Sequence, residues 1–172
     1  MNLSFDQCTL ANLSTLVEIS RSTFIRAFKK DNNPNDFSHY VNNAFSVENV
    51  KTELLHPNTT FYFAYKENKL VGYFKMNEKD AQNERFSEKS MELERIYVVS
   101  KFQGQSIGKD LLNKAINIAK SKEVNFLWLG VWEKNIDAIR FYERYHFKKF
   151  GTHPYYIGRD KQMDLLMKLD FV

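Results

Sequence analysis

Residues 103–120 read QGQSIGKDLLNKAINIAK, a turn of small and polar residues running straight into an amphipathic helix. The free N–H groups at such a helix start, together with the helix dipole, favour an anion. Small side chains let a phosphate come close to the backbone. Lys109 falls in the first turn, where a cation opposes the dipole. A bound polyanion removes that objection. The alternative is a plain strand–helix turn capped by Ser106 with nothing bound. The segment is neither a P-loop nor a dinucleotide fingerprint, because it lacks Gly-Lys-Ser/Thr and G-x-G-x-x-G.

The second group of chemistry-bearing residues is acidic. The stretch 78–94 holds Glu78, Asp80, Glu84, Glu88, Glu92 and Glu94. The first four read as a solvated loop, although acids here would also suit a polycation. Glu94 lies in MELERIYVV (91–99), a predicted central strand, where an unpaired charge is expensive. Side chains alternate along a strand, so Glu92, Glu94, Ile96 and Val98 are expected on one face and Arg95 on the other. Arg95 is then poorly placed to neutralise Glu94. The alternative puts Glu94 on a solvated strand end or against a distant lysine. Tyr142 follows Phe141 in a predicted helix, and neighbours there point about 100° apart, so both are not expected to face one core. Asn135 is positioned to cap that helix. Lys134 and Arg144 read first as solvated surface charge. His39, His56, His146 and His153 are scattered without metal-ligand spacing, so no metal is expected. Cys8 reads as a small core residue.

These residues need elements to place them. Leu3 to Gln7 alternates as a short strand does. Asn12 is expected to cap a helix over 13–30, with Leu13, Leu16, Val17, Ser20, Phe24, Ala27 and Phe28 on one face. DNNPND at 31–36 breaks it. A shorter helix carries Phe37, Tyr40, Val41, Ala44 and Phe45. Another spans 47–55, ended by His56-Pro57-Asn58. Residues 61–76 read as two strands with a turn at 67–69. FLWLGV at 126–131 is apolar throughout, as in a strand buried on both faces. A helix at 135–145 and paired strands at 148–157 and 162–171, joined through a turn at 158–161, close the chain. The fold class is α/β: one mixed, mostly antiparallel central sheet with flanking helices. The strand–helix–strand unit over 91–131 implies a parallel pair with a helical crossover.

The 172 residues suit one domain, and a 43% hydrophobic share is enough for a sizeable core. The net charge of +4 is spread along the chain without a run of like charges, so no nucleic-acid partner is expected. One cysteine allows no intrachain disulfide and fits a reducing compartment. MNLSFDQCTL lacks the cationic start and apolar run of a secretory signal. No apolar stretch approaches the roughly 18 residues that span a membrane. A cytoplasmic location without membrane contact is expected.

With its surroundings, the 103–108 turn resembles the acyl-coenzyme A signature of the GCN5-related N-acetyltransferase (GNAT) family: Gln or Arg, two residues, Gly, one residue, then Gly or Ala. Here it reads Gln103-Gly104-Gln105-Ser106-Ile107-Gly108. NIDAIRFYERYHF (135–147) is similar to the family's Asn-x-x-Ala-x-x-Phe-Tyr-x-x-x-Gly-Phe helix, and FLWLGVWEKN to its fifth strand. ELERIYV, LLNKAI, WLGVWEKN and AIRFY most resemble the PaiA type of spermidine/spermine acetyltransferase. Two positions depart from the pattern. Ser106 replaces a favoured Gly, and His146 stands where a Gly usually ends the helix.

The resemblance implies a GNAT fold, with the parallel strands splayed at an acetyl-CoA site. It implies a single N-acetyltransferase domain over 1–172, with an acetyl-CoA core at about 91–147 and acceptor-side helices at about 12–55. The diphosphate of acetyl-CoA would lie on the N–H groups of Gly104, Gln105, Ser106, Ile107, Gly108 and Lys109, with Gln103 leading into them. The backbone of Ile96, Tyr97 and Val98 would pair with the pantetheine arm, and the Val98 N–H would polarise the thioester carbonyl. Asn135 would bond that arm and Arg144 a CoA phosphate. A primary amine is mostly protonated at neutral pH, so a proton acceptor is required. Glu94 is the implied one, acting through water. Some members place the base on the fifth strand, but the matching residue here is Gly130. Tyr142 would donate a proton to the departing sulfur.

The implied acceptor is a small polyamine such as spermidine or spermine. Phe28, Phe37 and Tyr40, near the first helices, either wall the acceptor site or pack in the core, and core packing explains them at least as well. Alternatives are a protein amine, another small-molecule amine, or a CoA-binding sensor without turnover. Pairing into a homodimer, common in the family, is compatible with all of these.

Overall fold

The computed structural model describes residues 3–171, and the expected order of elements is observed. Strand β1 (Ser4–Gln7) precedes helices α1 (Leu13–Phe28), α2 (Pro34–Ala44) and α3 (Val47–Leu55). Strands β2 (Thr59–Lys66), β3 (Lys69–Glu78) and β4 (Ser90–Val98) follow. Helix α4 (Ile107–Ser121), strand β5 (Phe126–Trp132), helix α5 (Ile136–Arg144) and strands β6 (Lys148–Ile157) and β7 (Asp160–Asp170) complete the chain.

Local chemistry sets the boundaries. The segment that ends α1 also starts α2: Pro34 takes the first helical position, and the Asn33 side chain accepts from the N–H groups of Asn35 and Asp36. Ser46 caps α3 by accepting from the Asn49 N–H. Glu67 and Asn68 both adopt positive φ, the twist a two-residue hairpin needs between β2 and β3. Asn12 does not cap α1 as expected. Its side chain turns back and accepts from the Thr9 N–H at 2.8 Å.

The seven strands form one sheet in the order β1-β2-β3-β4-β5-β7-β6. Only β4 and β5 run parallel, because α4 crosses between them. Helices α4 and α5 cover one face, where Leu111, Leu112, Ala115 and Tyr142 pack on Phe74, Leu93, Leu127 and Leu129. The first three helices cover the other, over Phe61, Phe63 and Tyr73. Cys8 is buried there, as expected of a core residue. No helix among the described residues is long and apolar enough to cross a membrane.

One departure from simple alternation matters for the site. Arg95 pairs with Lys75 and Leu93 with Met76, which leaves Glu94 as an extra residue in β4. This β-bulge reverses the phase of the strand. Met91 and Leu93 join Ile96 and Val98 on the α4 side. The expected common face for Glu92, Glu94, Ile96 and Val98 is therefore corrected: the two glutamates lie opposite the two aliphatics. A sequence pattern of period two carries no mark of one inserted residue.

Both departures from the family's glycines take left-handed backbone, with φ of 62° at Ser106 and 67° at His146. That conformation costs an L-residue roughly 1–2 kcal/mol, partly offset by glycine's greater loss of entropy. His146→Gly is expected to raise stability by about 0.5–1 kcal/mol, or roughly 1–4 °C in Tm, measured by thermal unfolding.

Candidate active site

The parallel ladder is short. β4 and β5 pair only through Ser90–Phe126, Met91–Leu127 and Glu92–Trp128. Beyond these they part, although β4 continues to Val98 and β5 to Trp132. A cavity of about 1090 Å³ occupies the opening and is lined from both faces of the sheet.

On the α4 side, the turn before the helix forms one wall. Gln103, Gly104, Ser106, Ile107, Gly108 and Lys109 line the cavity. Gly104 has φ +76° with nothing within 4 Å of the place a Cβ would take, so the backbone lies open. Ser106 precedes α4, but its side chain makes no capping hydrogen bond. The N–H groups of the first turn are thus left uncovered by it. Gln105 is the exception in this stretch: its side chain accepts from Lys66 Nζ at 3.0 Å and does not line the cavity. The Gln103 amide donates to the Val98 carbonyl at 3.3 Å.

Ile96, Tyr97 and Val98 also line the cavity. The Val99 N–H donates to Val71 O on β3, so the alternation of a β-ladder turns the Val98 backbone groups toward the opening. The Tyr97 ring is directed elsewhere, stacked on Tyr73 with centroids 5.8 Å apart. Asn135, Arg144 and Tyr142 stand on the α5 flank. Asn135 does cap α5, accepting from the Ala138 N–H at 3.3 Å. Tyr142 and Phe141 were expected to diverge, but both reach the same core cluster, with ring centroids 5.3 Å apart. Phe141 reaches it over α4, with its ring 3.8 Å from the place a Cβ would take at Gly108. The Tyr142 hydroxyl has no hydrogen bond to any described residue, and burial pushes its pKa up.

The opposite wall is acidic. The bulge places Glu94 beside both Lys75 and Arg95, at 2.6 and 3.5 Å. The expectation that Arg95 cannot neutralise Glu94 is corrected for the same reason. Glu53 of α3 completes the group, pairing with Lys75 at 3.3 Å and with Arg95 at 2.9 Å. Burial alone would raise the Glu94 carboxyl. Lys75, Arg95 and a 2.6 Å bond from Asn77 outweigh it and hold the pKa below the ordinary value. Glu92 differs. It is 3% exposed and pushed up by burial and by Glu94, although Asn77 and Asn83 donate to it. Among the other acids of this stretch, Glu78 meets Lys122, Asp80 accepts from Asn58 and Glu84 meets His153. Phe24, Phe28, Tyr40 and Phe45 close the wall. Phe37 is packed behind them in the helical core.

A sequence model of the acetyltransferase (GNAT) family matches residues 15–147. The chain belongs to this family. An uncharacterised N-acetyltransferase of the pepI 3′ region in Lactobacillus delbrueckii subsp. lactis is 35% identical over 162 residues, 94% of each chain. The spermine/spermidine N(1)-acetyltransferase of Bacillus subtilis is 31% identical over 93 residues, 51% of this chain and 58% of that one. Among solved structures, PaiA N-acetyltransferase from Thermoplasma acidophilum in complex with coenzyme A superposes with TM-score 0.77 at 20% identity. It covers 99% of this chain and 100% of that one. The protein is therefore a GNAT-fold N-acetyltransferase.

Some site residues escape a linear reading. Glu53 and Lys75 meet Glu94 only through the fold. Asp164 of β7 also lines the cavity. Its one sequence signal is a carboxylate in the middle of the apolar run QMDLLMKL.

Proposed function

We propose that this GNAT enzyme uses acetyl-CoA to acetylate a primary amine by direct attack, with a polyamine such as spermidine or spermine as acceptor. The parted end of β4 and β5 carries this reading. It joins an open anion cradle on the α4 side to an acid-lined wall on the other, so two substrates can meet in one opening.

Acetyl-CoA supplies an activated acetyl thioester. The backbone from Gly104 to Lys109 would receive its diphosphate, and Ile96 to Val98 its pantetheine arm. The Val98 N–H faces where the thioester oxygen gains charge. Asn135 and Arg144 stand at the rim for the arm and the phosphates. Tyr142, kept protonated by burial, is the donor for the leaving sulfur.

We assign Glu94 a charge role toward the acceptor. A carboxyl held low by two cations is a weak proton acceptor, yet it stays anionic and keeps the four-residue wall neutral. Residues 1–172 act as one domain, with acetyl-CoA on the 91–147 part and the acceptor under the 12–55 helices. Support for a polyamine comes from Glu92, which lies on this wall without a cationic partner among the described residues, and from the Bacillus subtilis relative.

The test is CoA release from acetyl-CoA with spermidine, spermine, lysine and a peptide amine. Polyamines are expected to give the highest kcat/KM. Glu94→Gln leaves the group of Glu53, Lys75, Arg95 and residue 94 with a net positive charge and is expected to raise KM for spermidine about tenfold, with a smaller change in kcat. Turnover confined to lysine or the peptide would replace the acceptor class. Tight acetyl-CoA binding without turnover on any amine would leave a sensor.

A further inference from the structure

β5 carries bulky side chains at every position except Gly130. A Cβ there would lie 3.2 Å from Asp164 Oδ2 and 3.7 Å from the Asp164 Cβ. The carboxylate of β7 thus occupies the space that a β5 side chain would fill. Gly130 comes two residues beyond Trp128, the last residue of β5 paired to β4. Asp164 accordingly leans over the flank of the opening, on the same sheet face as Glu92 and Glu94.

Asp164 also differs from every other acid of the wall in what surrounds it. Glu94 has Lys75 and Arg95, while Glu92 has Asn77 and Asn83. Asp164 forms no ion pair and accepts no side-chain hydrogen bond among the described residues. Its nearest titratable neighbour is His153, directly opposite on β6, and that ring is bonded to Glu84 at 2.6 Å. Across the cavity stand Glu92 and Glu94 on β4. Lys134, beyond β5, lies over the Trp132 ring at 5.8 Å. β5 itself brings no titratable group, and neither do the β7 neighbours Gln162 and Leu166. Burial, partly offset by His153, pushes the Asp164 carboxyl up to about 6. A carboxylate with open acceptor positions and a pKa just below neutrality suits proton abstraction.

We propose that Asp164 takes the proton from the acceptor ammonium before its nitrogen attacks the thioester. The assignment rests on the acetyl-transfer reading above. The freed lone pair forms the C–N bond and the C–S bond breaks. The amine loses two protons in all. Asp164 passes the first to solvent, and the second replaces the proton that Tyr142 gives to sulfur. The products are the amide, CoA thiol and one proton in solution.

The test is a pH–rate profile for CoA release with spermidine as the acceptor. Wild-type kcat is expected to rise as pH passes about 6. Asp164→Asn is expected to lose about 100-fold or more in kcat, to flatten that acid limb and to leave KM within about threefold. Its Tm at neutral pH should equal or exceed that of wild type, because an amide avoids burying a charge. Asp164→Glu should restore part of kcat. Gly130→Ala, which crowds the carboxylate without removing it, should lower kcat about tenfold with Tm retained. An acid limb that persists in Asp164→Asn with kcat within about threefold of wild type would overturn the proposal. So would a loss confined to KM, which would make Asp164 an ammonium anchor. Wild type without turnover on any amine is a separate result, seen before any variant is made, and it would remove the acetyl-transfer reading itself.

Discussion

Lys75→Met is expected to cost about 3–5 kcal/mol of stability, a fall in Tm of roughly 6–20 °C. The Lys75 side chain is 5% exposed and its ammonium lies between Glu53 and Glu94. Removing it leaves two largely buried carboxylates to share Arg95, whose guanidinium already forks onto Glu53 at 2.9 and 3.0 Å. The methionine fills the same volume against Phe61, so the loss reports charge and not a cavity. Thermal and urea unfolding measure it. Adding Glu94→Gln should recover part of the loss, because it removes the stranded charge. A fall in Tm below about 2 °C would mean that the four charges do not hold α3 to the sheet.

The same network sets a pH dependence. The folded Glu94 pKa lies below its ordinary value. Its contribution is therefore fully present above the ordinary carboxylate range and is lost as pH falls through the folded value. Glu92 has the opposite sign. Its folded pKa is raised, so its ionisation takes stability away as pH rises from the ordinary value through the folded one. Lys75→Met should therefore lose less stability than wild type as pH falls, because the cation that depresses Glu94 is gone and protonation relieves the stranded charge.

Much of this architecture was legible in the sequence because it follows from local periodicity and turn chemistry. The 3.6-residue stripe of α4, the apolar run of β5 and the Asn-Pro start of α2 each carry their own signal. The cradle was legible for the same reason, since Gly104 and Gly108 open a helix right after a strand. The acidic wall was not. One inserted residue at Glu94 changes which face every later β4 side chain takes, and composition and alternation do not report it. The partners of Glu94 come from α3 and β3, and Asp164 comes from a hairpin more than thirty positions beyond the glycine it covers. In the sequence, Gly130 is a position with no side chain to contribute. In the fold, that lack is what admits a carboxylate from the next strand. Function in this sheet is assembled across strands, whereas sequence patterns speak along them.

Tyr142→Phe is expected to lower kcat about 100-fold while leaving KM for acetyl-CoA within about threefold. The substitution keeps the ring on Phe141 and Phe147, with centroid distances of 5.3 and 5.8 Å, so packing is retained. It removes only a hydroxyl that bonds to no described residue, so Tm should stay within about 2 °C. A hydroxyl without a protein partner gives nothing to the fold; its place at the cavity gives it a proton donor's position. The loss falls near the lower end for general acids because a thiolate, with a pKa near 8.5, leaves fairly well unaided. Two variants then separate the two proton transfers. Asp164→Asn should erase the acid limb of the pH profile, whereas Tyr142→Phe should keep that limb at reduced height. Unchanged kcat in Tyr142→Phe would reduce the residue to a core aromatic and leave the sulfur to take its proton from water.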